Sequence, residues 1–249
     1  MHSIRIIARL DIKGDKVVKG INLEGIRKIG NPKEIALNYY TQGIDEIIYM
    51  DVVASLYERN TITKFIKDAA SKIFVPLTVG GGIRSLNDIR NVLNNGADKV
   101  AINTAAIKNP NFIKEASNAI GSQSIVVSIE AKKHTNYWEA YYDNGREKSG
   151  LDVINWAQKA QELGAGELLI TSVDKEGLEK GMDIDLLVAI RDKIKIPIIF
   201  SGGVGNIEHV NETAPYADAI AVASLFHYNK EKINEFKKKL IKKGIEVRI

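Results

Sequence analysis

Hydrophobic and polar positions along this chain follow two alternating periods. Short β-branched runs recur eight times, over Ile4–Leu10, Glu46–Asp51, Leu77–Val79, Lys99–Asn103, Ile125–Ile129, Glu167–Thr171, Ile198–Phe200 and Ala219–Val222. Between them lie segments whose apolar residues fall three and four apart, as on one face of a helix: Lys33–Gln42, Ile62–Ser71, Leu86–Asn95, Asn111–Ile120, Asp152–Leu163, Asp183–Asp192 and Asn206–Thr213. Strands alternating with helices predict a parallel sheet, and eight such units predict closure into a single (β/α)8 TIM barrel. Two insertions break the rhythm. Ile12–Gly25 follows the first strand and is too long for a simple turn. Lys133–Gly150 follows the fifth, and its Asp143-Asn144-Gly145 signals a hairpin turn. Both belong at the C-terminal ends of barrel strands, where such folds keep their chemistry, and are expected to act as covers.

The pattern also repeats itself. IFVPLTVGGGIRS around Pro76 returns as IKIPIIFSGGVGN around Pro197. GIDEIIYMD from Gly43 returns as GAGELLITS from Gly164, and ADKVAINT from Ala97 as ADAIAVAS from Ala217. IRIIARLDIK from Ile4 returns as QSIVVSIEAK from Gln123. Four blocks in one order at an offset of about 120 residues imply two half-barrels, about 1–121 and 122–249. No Pro- or Ser-rich linker separates them, so the expectation is one domain.

Composition narrows the function classes. The chain of 249 residues is 45% hydrophobic and 27% charged, which is ordinary for a globular protein. No apolar run is long enough to span a membrane, and MHSIRIIARLD lacks a signal-peptide layout, so a cytoplasmic protein is expected. With no cysteine, disulfides and thiol catalysis are excluded. The histidines His2, His134, His209 and His227 are dispersed, which argues against a metal cage; no cofactor is implied. The net charge of +4 owes much to KEKINEFKKKLIKKG, whose Ile233, Phe236, Leu240 and Ile241 fall at helical spacing. That reads as an outer helix with a solvated basic face. No nucleic-acid motif accompanies the charge, whereas anionic substrates suit it.

Two glycine-rich turns carry the first candidate chemistry. Gly80-Gly81-Gly82 with Asn103-Thr104, and Gly202-Gly203 with Ala223-Ser224, sit at equivalent strand ends of the two halves. Glycines let backbone N–H groups approach an anion closely. Two cradles suggest a ligand with a phosphate at each end. Asp11 and Glu130 end equivalent strands and should face each other across the barrel mouth, as a general acid and base whose surroundings separate their pKa values. Asp51 and Glu176 are further mouth acids, and Lys19 in the first insertion could close over a phosphate. At the opposite end, strand alternation turns Arg5, Ile7, Arg9 and Asp11 inward. Arg5, Glu46, Lys99 and Glu167 then lie at one level and should form an ionic ring across the barrel floor, structural or gating.

These residues, with VVKG, DEIIYMD, TVGGGIRS, ADKVAINTAA, GSQSIVVSI, SGGVG and LFHY, resemble the cyclase subunits of imidazole glycerol phosphate synthase, of histidine biosynthesis, essentially end to end. The sister two-phosphate sugar isomerase is similar to a lesser degree; GSQ at Gly121–Gln123 and INTAA at Ile102–Ala106 lean toward the cyclase. The resemblance implies a lyase that takes ammonia and a bisphosphorylated ribulosyl-formimino-aminoimidazole ribonucleotide, and forms imidazole glycerol phosphate and aminoimidazole carboxamide ribotide. It implies a glutaminase subunit docked on the N-terminal face, with ammonia passing down the barrel. It places the gate on Arg5, Glu46, Lys99 and Glu167, a docking acid on Asp98, the first catalytic acid on Asp11 and a loop lysine on Lys19. Phosphate contacts fall on Gly82, Asn103, Thr104, Gly177, Gly203, Ala223 and Ser224, within a wider site that takes in Gly81 and Gly202.

Departures cluster at the mouth. The family's second catalytic aspartate is Glu130, its Asp-Gly-Thr after the sixth strand is Glu176-Gly177-Leu178, its threonine at position 21 is Ile21, and its usual cysteine at position 9 is Arg9. Glutamate extends the acid by roughly 1.5 Å, and a misplacement of about 1 Å can cost on the order of 100-fold in rate. Arg9 should pair with a mouth acid, lower its pKa and narrow the ammonia route. This pattern also resembles divergent cyclase-like paralogues that pass ammonia to sugar-amidating enzymes. That reading, the isomerase and a non-catalytic binding barrel stand as alternatives.

Overall fold

The computed structural model describes residues 3–54 and 63–248. His2 and the expected helix start at Ile62 lie outside them. The eight barrel strands are β1 (Arg5–Lys13), β4 (Glu46–Asp51), β5 (Leu77–Gly80), β6 (Lys99–Ile102), β7 (Ile125–Lys133), β10 (Glu167–Ser172), β11 (Ile198–Ser201) and β12 (Ala219–Val222). Each pairs in parallel with the next in this order, and β12 pairs back with β1, closing the barrel. β1 and β7 are four steps apart in a ring of eight, so they stand opposite one another.

The expected helices form at Pro32–Thr41, Thr63–Ala70, Leu86–Asn94, Asn111–Ile120, Val153–Glu162, Ile184–Arg191, Ile207–Thr213 and Ile233–Lys242. Local chemistry sets their starts. Pro32 takes the first helical position behind the Asn31 cap, and Ser85 and Asp88 cap each other's backbone reciprocally. Asp152, Asp183 and Asn206 accept from amides in the first turns of their helices. The helices pack their apolar faces on the outside of the barrel, which gives the larger core. The basic C-terminal segment does the same through Ile233, Phe236 and Leu240. Among the described residues no helix is long and apolar enough to cross a membrane.

Inside the barrel the side chains stack in layers, because every second residue of each strand points inward. Ile7, Ile48, Val126, Leu169 and Ile199, with Ala101, Ala219 and Ala221, fill an apolar middle layer. Alternation from this layer places Arg5, Glu46, Lys99 and Glu167 below it, and Arg9, Ser128 and Thr171 above it.

Both insertions are β-hairpins. The first pairs β2 (Lys16–Ile21) with β3 (Glu24–Gly30), and β2 also pairs antiparallel with the end of β1. The second pairs β8 (Trp138–Tyr142) with β9 (Glu147–Asp152), and β8 extends from the end of β7. Asp143, Asn144 and Gly145 all have positive φ, as the hairpin signal requires. The two hairpins meet: a side chain on Gly145 would run into Leu23, in the turn of the first.

Candidate active site

The floor is a closed ring of four charges. Arg5 Nη1 donates to Glu46 at 2.7 Å and Arg5 Nη2 to Glu167 at 2.6 Å. Lys99 Nζ donates to Glu167 at 2.7 Å and reaches Glu46 at 3.5 Å. Each cation bridges both anions, which offsets the cost of taking four charges out of water. Asp98, beside the ring, is exposed and accepts from the Leu77 amide at 2.8 Å. Phe74 lies near it and is 79% exposed.

At the other end, the first glycine turn opens a cavity of about 400 Å³ that brings together Asp51, Gly81, Gly82, Asn103, Thr104 and Glu130. Gly81 (φ 94°) and Gly82 (φ 72°) lie in the left-handed region. A Cβ on Gly81 would overlap the Asp51 carbonyl, so the close approach of this turn to the end of β4 depends on glycine there. Asp51 also accepts from the Val53 amide at 3.0 Å.

The second turn brings Glu176, Gly177, Gly202, Gly203, Ala223 and Ser224 together as expected, but around a space of only about 10 Å³. The first hairpin presses on it: Asn22 N–H donates to the Glu176 carbonyl at 2.8 Å, and a Cβ on Gly177 would strike the Gly20 carbonyl. Lys19 is buried and donates to Glu176. Burial pulls the Lys19 ammonium down to about 8 against the attraction of Asp11. Gly203 (φ 97°) tolerates no side chain, since a Cβ would meet the Gly181 carbonyl. Gly203→Ala is expected to cost about 2 kcal/mol or more in strain. Gly43→Ala, equally left-handed but with open space around it, is the control. Thermal melts separate the two; equal melting temperatures would show that the turn can yield.

The two mouth acids sit in opposite electrostatic states. Arg9 Nε donates to Asp11 Oδ1 at 2.9 Å, and Arg9 Nη1 to Thr171 Oγ1 at 2.7 Å. Burial pushes the Asp11 carboxyl up, but Arg9 and then Lys19 outweigh it and hold it below the ordinary carboxylate range. Glu130 instead accepts from two neutral donors, Gly145 N–H at 2.8 Å and Asn103 Nδ2 at 3.0 Å. Burial pushes its carboxyl up to about 7; Arg9 and the Gly145 amide oppose the rise, while Asp11 and Asp143 add to it. Thr104 Oγ1 donates to Asp143 Oδ1 at 3.1 Å, so the second hairpin covers the side chains of the first cradle.

Sequence reasoning missed His227 as a neighbour of the mouth. It is buried, stacks on Tyr39 and shares a 2.7 Å hydrogen bond with the Tyr39 hydroxyl. Burial, then Lys19, pulls its pKa down to about 4, so it is neutral at physiological pH. No local pattern links positions 39 and 227; only barrel closure does. Thr171 was within reach of the alternation that placed Glu167. Among the described residues no cluster of three or more His, Cys, Asp or Glu could hold a metal ion.

The family model described as "Histidine biosynthesis protein" matches residues 5–232. The chain is 53% identical over 212 residues to the imidazole glycerol phosphate synthase subunit HisF of Legionella pneumophila, covering 85% of this chain and all of the relative. It is 46% identical over 250 residues to the HisF subunits of Thermococcus onnurineus and Pyrococcus furiosus, covering all of this chain and 99% and 100% of those relatives. Matches of this extent, on a closed parallel barrel, place the chain in the histidine-biosynthesis family, among the HisF cyclase subunits of imidazole glycerol phosphate synthase.

Proposed function

We propose that this chain, a cytoplasmic enzyme, closes the imidazole ring of imidazole glycerol phosphate. Its substrates are ammonia and the bisphosphorylated ribulosyl-formimino-aminoimidazole ribonucleotide, and its second product is aminoimidazole carboxamide ribotide. The observation that carries the reading is the pair of acids on opposed strands, Asp11 held as carboxylate and Glu130 pushed up to about 7. Such a pair supplies a base and an acid at one pH. The glycine turns at Gly81-Gly82 and Gly202-Gly203 flank them, one per phosphate, with Asn103, Thr104, Gly177, Ala223 and Ser224 as further contacts. Lys19 leaves Glu176 for a phosphate when ligand enters. A glutaminase subunit docks on the N-terminal face around Asp98, and the ring of Arg5, Glu46, Lys99 and Glu167 gates its ammonia.

The Arg9–Asp11 pair and the tight second cradle favour a second reading, in which the barrel hands ammonia to another enzyme. One assay separates the two. The purified chain receives the bisphosphorylated ribonucleotide and excess ammonium salt at mildly alkaline pH, so that free ammonia replaces the partner. Formation of imidazole glycerol phosphate is the expected result. Tight binding without turnover rejects the cyclase reading.

A further inference from the structure

Arg9 is an anomaly of position. It is 2% exposed, yet it carries a charge at the top of a barrel interior whose next layer down is wholly apolar. Its guanidinium leaves β1 and reaches Thr171 on β10, three steps away around the ring, so it lies across the barrel axis just beneath the mouth. A guanidinium held there must be balanced by a carboxylate, because an unpaired buried charge costs several kcal/mol.

Geometry decides which carboxylate that is. Arg9 Nε points at Asp11 Oδ1, two residues along its own strand. Among the described residues, the donors to Glu130 are two neutral N–H groups, and both converge on Oε2. That leaves Oε1 as the oxygen to carry a proton. We propose that Arg9 is a positioning residue that fixes the order of protonation at the mouth: it keeps Asp11 ionised as the base and leaves Glu130 as the acid that holds the proton.

Of the other groups facing the pair, the Gly145 amide favours an ionised Glu130, and the nearby charges act in the direction proposed. Lys19, from β2, attracts the Asp11 carboxylate. His227, in the short helix that follows β12, is neutral at physiological pH. Asp143, at the tip of the second hairpin, faces Glu130 and discourages its ionisation, as does Asp11. Glu176 is occupied by Lys19. Asp51, at the end of β4, accepts a backbone amide. Two ionised carboxylates in one enclosed mouth repel each other, and Arg9 settles which of them yields.

The inference rests on the acid–base reading of Asp11 and Glu130, but its first test needs no turnover. Side-chain carboxyl carbons of the whole chain, labelled with 13C at Asp and Glu, are followed by NMR from about pH 2 to about pH 9. Asp11→Asn and Glu130→Gln assign the two signals. Glu130 is expected to lose its proton well after Asp11. In Arg9→Met the Asp11 titration should rise by about one unit or more, and Arg9→Lys should restore it. The acid limb of the kcat profile should move by the same amount in Arg9→Met, while KM stays near its original value. If Asp11 releases its proton after Glu130 in the unaltered chain, the inference is overturned even should Arg9→Met fail to fold. An Asp11 titration unmoved by Arg9→Met overturns it too. Absence of turnover with the protonation order intact rejects the cyclase function alone.

Discussion

Glu130→Gln is expected to lower turnover with ammonium salt by about 1,000-fold, within the range for loss of a general acid, and to leave binding of the bisphosphorylated substrate nearly unchanged. The amide still accepts from Gly145 and Asn103, so the cavity keeps its shape while the transferable proton is gone. Glu130→Asp keeps the proton but withdraws it by roughly 1.5 Å, and should fall between the two. The pH dependence follows from the direction of the shift. Glu130 is raised from 4.5 to about 7, so the acid form works below pH 7, and kcat declines through an alkaline limb near that value. The same shift has a stability cost. The folded state binds this proton more tightly than the unfolded state, so the cost is absent below pH 4.5, grows between 4.5 and 7, and is complete above. Single-turnover rates with a parallel binding titration check the prediction. A Glu130→Gln chain keeping a tenth of its rate would remove Glu130 from the acid role.

Lys237→Ala should be strongly damaging although it lies outside the mouth, with a loss of about 3–5 kcal/mol. Lys237 is buried on the inner face of the C-terminal helix, and its ammonium donates to Asp45 Oδ1 at 2.8 Å and to the Gly43 carbonyl. Asp45 in turn accepts from the Ile6 amide at 2.7 Å, so one ion pair ties the last helix to the first strand and to the loop before β4. Truncating the lysine leaves a buried carboxylate whose remaining donor is a backbone amide. The double change Lys237→Met with Asp45→Asn removes both charges and keeps an acceptor for Ile6, and should cost less than the single change. Chemical denaturation of the three chains measures the difference. A single variant within about 1 kcal/mol of the unaltered chain would show that water reaches Asp45.

The barrel was legible because its strands obey alternation, and the ends of two strands show where alternation fails. Periodicity stops the first strand at Leu10 and the fifth at Ile129, while the backbone continues to Lys13 and Lys133. Beyond those points each strand keeps one barrel neighbour, β4 beside Asp11 and Ile12 and β10 beside Glu130 and Ala131, and pairs with a hairpin strand on its other edge. Their residues, Asp11 and Lys13, Glu130 and Lys132, are polar because they face the mouth or solvent. The second hairpin announced itself through Asp143-Asn144-Gly145. The first did not, because its turn puts Asn22 and Leu23 at positive φ, and leucine in that conformation is no turn signal. The ionic floor was readable from the parity of Arg5, Glu46, Lys99 and Glu167 along their strands. The Lys19–Glu176 pair and the Tyr39–His227 contact were not, since they join residues 157 and 188 positions apart through packing alone.

The four-charge floor also limits how this chain can change. Two cations and two anions sum to zero, and each cation serves both anions. Neutralising one member leaves an odd charge enclosed in the barrel, with two former partners short of a contact. Replacing a cation and an anion together keeps the sum at zero. Positions 5, 46, 99 and 167 therefore form one heritable unit, open to paired substitution and closed to single steps.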